Sequence, residues 1–197
     1  MRKSILCLAA ALMLFSCNKA IDSFIEKQVS SATSNSFVKY TIKQGQHIAD
    51  KSAYRNIDAN ELNFLVRFDS TAIYRTQSAE NQYDINKLYG FSDNGADHHQ
   101  FSARFGWRWS NDALRLFAYT YNNGEMSSKE LTTIPIGAEV KCSIKVAGNS
   151  YTFIVNDITE TMQRTSTLPS AKGYQLYPYF GGDETAPHDV HIWIKNL

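Results

Sequence analysis

Residues 100–109, read Gln100 to Trp109 as QFSARFGWRW, decide the fold. Phe101, Ala103, Phe105, Trp107 and Trp109 fall on one parity; Ser102, Arg104, Gly106 and Arg108 fall on the other. Successive side chains of an extended strand point to opposite faces, so this pattern is a strand with one buried face. A helix would mix the two sets around its circumference.

The same period extends outward from this run. Residues 61–69 place Leu62, Phe64, Val66 and Phe68 opposite Asn63, Leu65, Arg67 and Asp69. In 189–195, Val190, Ile192 and Ile194 oppose His191, Trp193 and Lys195. In 173–180, Tyr174, Leu176 and Phe180 form the apolar set, against Gln175, Tyr177 and Tyr179. Further candidate strands are 37–43, 113–121, 139–146 and 150–156, with weaker ones near 129–134 and 159–165. Asn122-Asn123-Gly124 and Ala147-Gly148-Asn149 supply hairpin turns. About ten short strands in one domain predict an all-β fold, a two-sheet antiparallel β-sandwich. Its expected core includes Phe64, Phe68, Phe105, Leu116, Ile154, Val190 and Ile192.

The amino terminus is of another kind. Arg2 and Lys3 precede an uncharged apolar run, Ile5 to Phe15. That run is too short to cross a bilayer comfortably and suits a secretory leader. Leu14-Phe15-Ser16-Cys17 resembles the lipobox of bacterial lipoproteins. The resemblance implies cleavage before Cys17, acylation of that cysteine, and anchoring by several acyl chains to a cell-envelope membrane, the outer membrane by expectation. Residues 1–16 are then the leader, 17–35 a lipidated cysteine and tether, and 36–197 the folded domain. Within the tether, Ile21, Phe24, Ile25 and Val29 suit a short amphipathic turn.

Cleavage removes Arg2 and Lys3, leaving 18 basic against 19 acidic side chains in 181 residues. With no sustained basic block, nucleic acid is a poor partner. Cys7 departs with the leader and Cys17 takes lipid, so Cys142 stands alone and no internal disulfide is expected. Its alternation with Ile144 and Val146 reads as a buried structural thiol.

The stretch Leu176 to Asp189, LYPYFGGDETAPHD, followed by VHIWIK, resembles the end of concanavalin A-like jelly-roll domains, including those of Bacteroidetes lipoproteins. This resemblance implies kinship in fold with laminarinase-type hydrolases, alginate-lyase-type enzymes and lectins over about residues 36–197. The Glu-x-Asp-x-x-Glu strand of the retaining glucanases is absent. So is the Gln-x-His strand of the lyases; His98, His99 and Gln100 are the nearest candidates.

Residues 81–109 are the densest polar-aromatic segment and read up to about residue 99 as a long loop closing one end of the sandwich. Adjacent strand residues face opposite ways, so His98 and His99 argue against one shared metal ion, and no resident metal is expected. Asp93, Asn94, Gly95 and Asp97 offer hard oxygens on one loop, which leaves calcium as the single cofactor candidate.

Arg104 and Arg108 suit the carboxylates of an acidic polysaccharide, or else ion pairs with Asp69 or Asp84. With Gln175, Tyr177, Tyr179 and Trp193 they form the expected substrate-binding set. Arg115, Phe117, Tyr119 and Tyr121 would widen the surface if they share that face. The leading expectation is a membrane-tethered glycan-binding module. A polysaccharide lyase acting by β-elimination, with Arg104, Arg108, His99, Tyr177 and Tyr179, is the second. A structural or protein-interaction lipoprotein is the third.

Overall fold

In the computed structural model, which describes residues 36–197, strand alternation sorts side chains between a shared core and two outer faces. One sheet runs, in spatial order, β1 (Val38–Ile42), β12 (Val190–Asn196), β3 (Glu61–Phe68), β8 (Glu139–Ala147), β9 (Ser150–Val155) and β10 (Ile158–Gln163). The other runs β2 (Asn56–Ala59), β11 (Ala171–Leu176), β4 (Asn86–Ser92), β5 (Phe101–Ser110), β6 (Ala113–Asn122) and β7 (Glu125–Ile134). Every pairing is antiparallel. This is a jelly-roll β-sandwich, and among the described residues it also holds short 3-10 turns at Ser70–Ala72 and Glu80–Tyr83. The predicted leader and tether lie outside the described residues.

Between the sheets the aromatic rings interlock edge to face. Phe64 meets Phe105 at 5.7 Å and 80°, and Phe105 meets Phe153 at 5.2 Å and 83°. Such pairs add roughly 0.5–1.5 kcal/mol each beyond their burial. The expected core residues are buried with one exception: in β9, Tyr151, Phe153 and Val155 turn inward, which puts Ile154 on the outer face. Cys142 is free and fully buried, and burial pushes its thiol well above the ordinary range.

The hairpin turns use left-handed backbone where it was expected, at Asn123 (φ 53°) and Gly124 (φ 83°), and also at Asn111 (φ 50°) and Asp112 (φ 52°). Two strands went unread. β2 is a four-residue edge strand. β4 lies inside the segment read as loop and is central, between β11 and β5. A β-bulge between Lys87 and Gly90 sends both Leu88 and Tyr89 into the core, which erases the two-residue period.

Candidate functional site: a cationic cleft on the outer face of one sheet

The cleft is built on the face of β4, β5 and β6 that turns away from the core. On β5, Arg104 and Arg108 lie on that face, as their parity demands. Across from them β6 sets Arg115, Phe117, Tyr119 and Tyr121, with Tyr119 opposite Arg104 and Tyr121 opposite Ser102. On β4, Gly90 pairs with Arg104. A Cβ at Gly90 would fall 2.3 Å from the Arg104 Cβ, so glycine is what lets the arginine stem lie there.

Two loops complete the walls. The turn before β5 brings His98 and His99, and the segment after β11 brings Tyr179, Gly181 and Gly182. Tyr179 is fixed by paired backbone hydrogen bonds to Lys87 (2.8 and 2.9 Å) and by stacking on His47 at 5.0 Å and 11°. Gly181 takes φ 91°, and a Cβ there would strike the Glu184 carbonyl oxygen. The enclosed space is about 210 Å³.

Arg104 is 6% exposed, and its guanidinium lies over the Tyr119 ring at 5.2 Å. Its Nε has no hydrogen-bond partner, and among the described residues no carboxylate is within ion-pair distance of it. Lys87 stands beside it, also without an ion pair, donating from Nζ to the Gly181 carbonyl at 2.9 Å. Burial first, and the Arg104 charge second, lower the Lys87 pKa to about 8. Two cations thus share a cleft in which neither has an ion-pair partner among the described residues, Asp84 acting on Lys87 only from beyond that distance. A buried unpaired charge is costly, so an outside anion is the ligand such a pair accommodates.

At the rim, Tyr174 donates from its hydroxyl to Asp97 Oδ2 (3.3 Å) and accepts from the His98 backbone N–H (3.1 Å). His98 Nδ1 lies 2.8 Å from the same hydroxyl. Burial and then Arg104 hold the His98 pKa below its ordinary value, so the ring is neutral near pH 7. His99 sets its ring edge-on to Tyr121 at 5.3 Å. Because residues 98–100 form a turn and not a strand, the two histidine rings lie side by side, 4.2 Å apart. Ligand atoms of Asp97, His98 and His99 fall within 4.8 Å of one another, close enough to share a cation. The neighbouring Arg104 charge opposes a cation there, and Tyr174 already engages His98 Nδ1.

Several expected site residues lie elsewhere. Arg108 is consumed by the protein itself: Nη1 donates to the Tyr83 carbonyl (2.7 Å), and Nη2 is 3.9 Å from Glu130. Arg115 holds the same Glu130 at 2.6 Å. Gln175 pairs with Phe91 on the core side and donates to the Gly90 carbonyl, so it is buried structure. Tyr177 packs inward on Tyr40 and Tyr89, each at 5.9 Å. Trp193 belongs to β12, in the opposite sheet. Of the six residues expected on one binding surface, Arg104 and Tyr179 line the cleft.

The calcium loop is also corrected. Asp93 is fully buried, and its carboxylate accepts from Tyr151, Arg164 and Ser166, which leaves it no free oxygen to offer an ion. Lys87 and Tyr174 are the site residues that sequence reasoning missed. Lys87 was hidden by the bulge. Tyr174 was placed in the core by an inverted reading of β11, whose inward set is Ala171, Gly173 and Gln175.

No family model matches the chain, and no curated protein sequence does. Solved structures do. The alginate lyase AlyC3 superposes with a TM-score of 0.57 at 11% identity, over 82% of this chain and 74% of that one. A mixed-linkage-glucan GH16 protein of Bacteroides ovatus gives 0.53 at 12%, over 83% and 81%. The catalytic domain of an endo-1,3-β-glucanase (laminarinase) from Thermotoga petrophila gives 0.52 at 9%, over 82% and 76%. At these identities the likeness is one of fold: a jelly roll resembling carbohydrate-active enzymes.

Proposed function

We propose that the cleft binds a carboxylate-bearing unit of an acidic polysaccharide, a uronate, with Arg104 and Lys87 receiving the carboxylate. One observation carries this reading: a nearly inaccessible arginine, with an unpaired Nε and no acidic partner, at the floor of a cleft ringed by hydroxyls and aromatic rings. A neutral sugar would leave both cations unmatched. Tyr119, Tyr121 and Tyr179 offer ring faces for apolar sugar surface and hydroxyls for its oxygens. Beyond Tyr174 the surface continues to Tyr54, 74% exposed and 5.8 Å from Tyr174, a platform for a neighbouring sugar.

Calorimetry against a polyuronate and a neutral β-glucan tests the reading, which expects binding of the first and little of the second. Equal binding of both, or none of either, would refute it. The pH dependence follows from Lys87. Its charge is present well below pH 8 and lost above, so affinity should be highest at about pH 6 and fall as pH rises through about 8. Arg104 keeps its charge throughout, so a residual polyuronate preference survives at high pH.

A second reading, a lyase, is favoured by the grouping of Tyr121, Tyr179 and His99 around the same cation pair. In β-elimination a base takes the C5 proton, the C4–O bond breaks, a C4=C5 double bond forms, and the departing oxygen is protonated. Neutralising the uronate carboxylate acidifies C5, which is the part Arg104 and Lys87 would play. Ultraviolet absorbance of unsaturated uronide appearing with time would establish it; a stable complex without that absorbance leaves binding alone.

We further propose that the domain is tethered to the cell envelope through lipid on Cys17, with residues 18–35 as spacer. Cys17→Ser should move the protein from the membrane fraction to the soluble one in a lipoprotein-competent host. Retention of that variant in membranes would count against the anchor.

A further inference from the structure

The opposite face of the sandwich carries a charge pattern that the cleft does not explain. On the outer side of β1, β12, β3 and β8 stand Lys39, Arg67, Lys141, Lys145 and Lys195, against Glu61 and Glu139 alone. Residues 36–197 hold 16 basic and 17 acidic side chains, so a domain of net charge −1 concentrates an excess of three cations on one sheet face. Arg67 and Lys145 lie 3.7 and 3.6 Å from Glu139 and Glu61, while Lys39, Lys141 and Lys195 have no ion-pair partner among the described residues.

The register interleaves these cations with apolar side chains. Trp193 sits between Lys39 and Arg67, whose charged ends lie 5.5 and 5.2 Å from its ring. Leu65 sits between Lys195 and Lys141. Phe37, immediately before β1, lies under Arg67 at 5.3 Å. Here the cations are spread across the sheet, Lys39 and Arg67 in one cross-strand row, Lys195 and Lys141 in the next, and Lys145 farther along opposite Glu61, unlike the converging pair in the cleft. Long cationic side chains flanking a tryptophan and a leucine suit a planar layer of anionic headgroups above an apolar boundary.

We propose that this face rests on an anionic phospholipid surface. Charge complementarity argues for that occupant, and so does the direction of the chain. Residues 18–35 lead from the expected lipid site at Cys17 into Phe37 and β1, the strand that borders this face. The cleft, on the other sheet, would then face away from the membrane. The acyl chains expected on Cys17 would hold the protein at the membrane, and a basic surface patch would add a second contact that orients the domain on it.

The test uses the chain from Asn18, which has no lipid and keeps all of the described domain. Its cosedimentation with phosphatidylcholine vesicles is compared with vesicles that also contain phosphatidylglycerol. The expected preference for anionic vesicles is about tenfold or more at low salt, since each surface cation adds appreciably to binding. Added salt should erase it. Lys39→Glu, Lys141→Glu and Lys195→Glu together should abolish the preference without changing the circular dichroism or polyuronate affinity, and Trp193→Ala should weaken the remaining attachment. Equal binding to both vesicle types, no binding, or anionic binding that survives the triple variant would each overturn the proposal. Loss of polyuronate binding in the triple variant, with vesicle binding intact, would overturn it too and make this face a glycan surface.

Discussion

Arg104→Met is expected to abolish polyuronate binding while leaving the fold at least as stable as before. The side chain is 6% exposed, and its Nε meets no acceptor. Truncating one partner of a buried, hydrogen-bonded charge pair costs about 2–5 kcal/mol of binding, a loss of thirtyfold or more in affinity. A structural arginine would behave in the opposite way, since its removal would strip a partner from a buried acid. No acid pairs with Arg104 among the described residues, and methionine fills much of its volume while removing a desolvated charge. The denaturation midpoint should therefore hold or rise as binding disappears. Calorimetry and urea unfolding on the same preparation read both. A large loss of stability with polyuronate affinity intact would sink the assignment.

Asp93→Ala should be among the most destabilising substitutions in the domain, at about 3–5 kcal/mol. The Asp93 carboxylate is 0% exposed and the Arg164 side chain 1%, with Nε to Oδ2 at 2.7 Å. The Tyr151 hydroxyl donates to Oδ2 at 2.5 Å, and the Ser166 hydroxyl to Oδ1 at 3.3 Å. Removing Asp93 strands the Arg164 charge in the interior, and melting should fall by about 6–20 °C. Asp93→Leu combined with Arg164→Met should recover much of that loss, because no orphaned charge remains.

Acid should act on the same group. Burial alone would raise the Asp93 pKa, but donation from Arg164 and Tyr151 holds it below the ordinary carboxylate value. Its contribution is therefore present above the unfolded value, near pH 4, and lost as pH falls through the folded one. Thermal melts of single and double variants at neutral and acid pH check all three points.

The contrast between these arginines explains how far the sequence could be read. Arg104, Arg108 and Arg164 are chemically identical, and only their distant neighbours separate an arginine without an ion-pair partner from a brace. Arg108 meets Glu130 from β7 and the Tyr83 carbonyl, while Arg164 meets Asp93 at the end of β4. Those partners are 22, 25 and 71 residues away along the chain, and no local pattern links them.

Alternation, by contrast, is a local property. It placed Arg104 and Arg108 on the non-core face of β5 correctly, and on β6 it separated Leu114, Leu116 and Ala118 from Arg115, Phe117, Tyr119 and Tyr121. It misled where backbone or composition broke the pattern. The bulge in β4 concealed Lys87. In β11 a small inward face of alanine and glycine left Tyr174 and Leu176 looking like the core set.

By itself, then, the sequence determined an all-β sandwich and the parity of its regular strands, because burying one face of a strand imposes a two-residue period wherever that strand lies. Only the tertiary structure decided which strands are neighbours. β12 closes the sheet opposite β5, so Trp193 and Arg104 occupy different faces of the molecule although each opposes an apolar set. Strand order also brought Lys87 of β4 beside Arg104 of β5, and the segment after β11 over both. A binding site is a coincidence in space of residues from separate strands, and a strand's own sequence carries its period but not the identity of its neighbours.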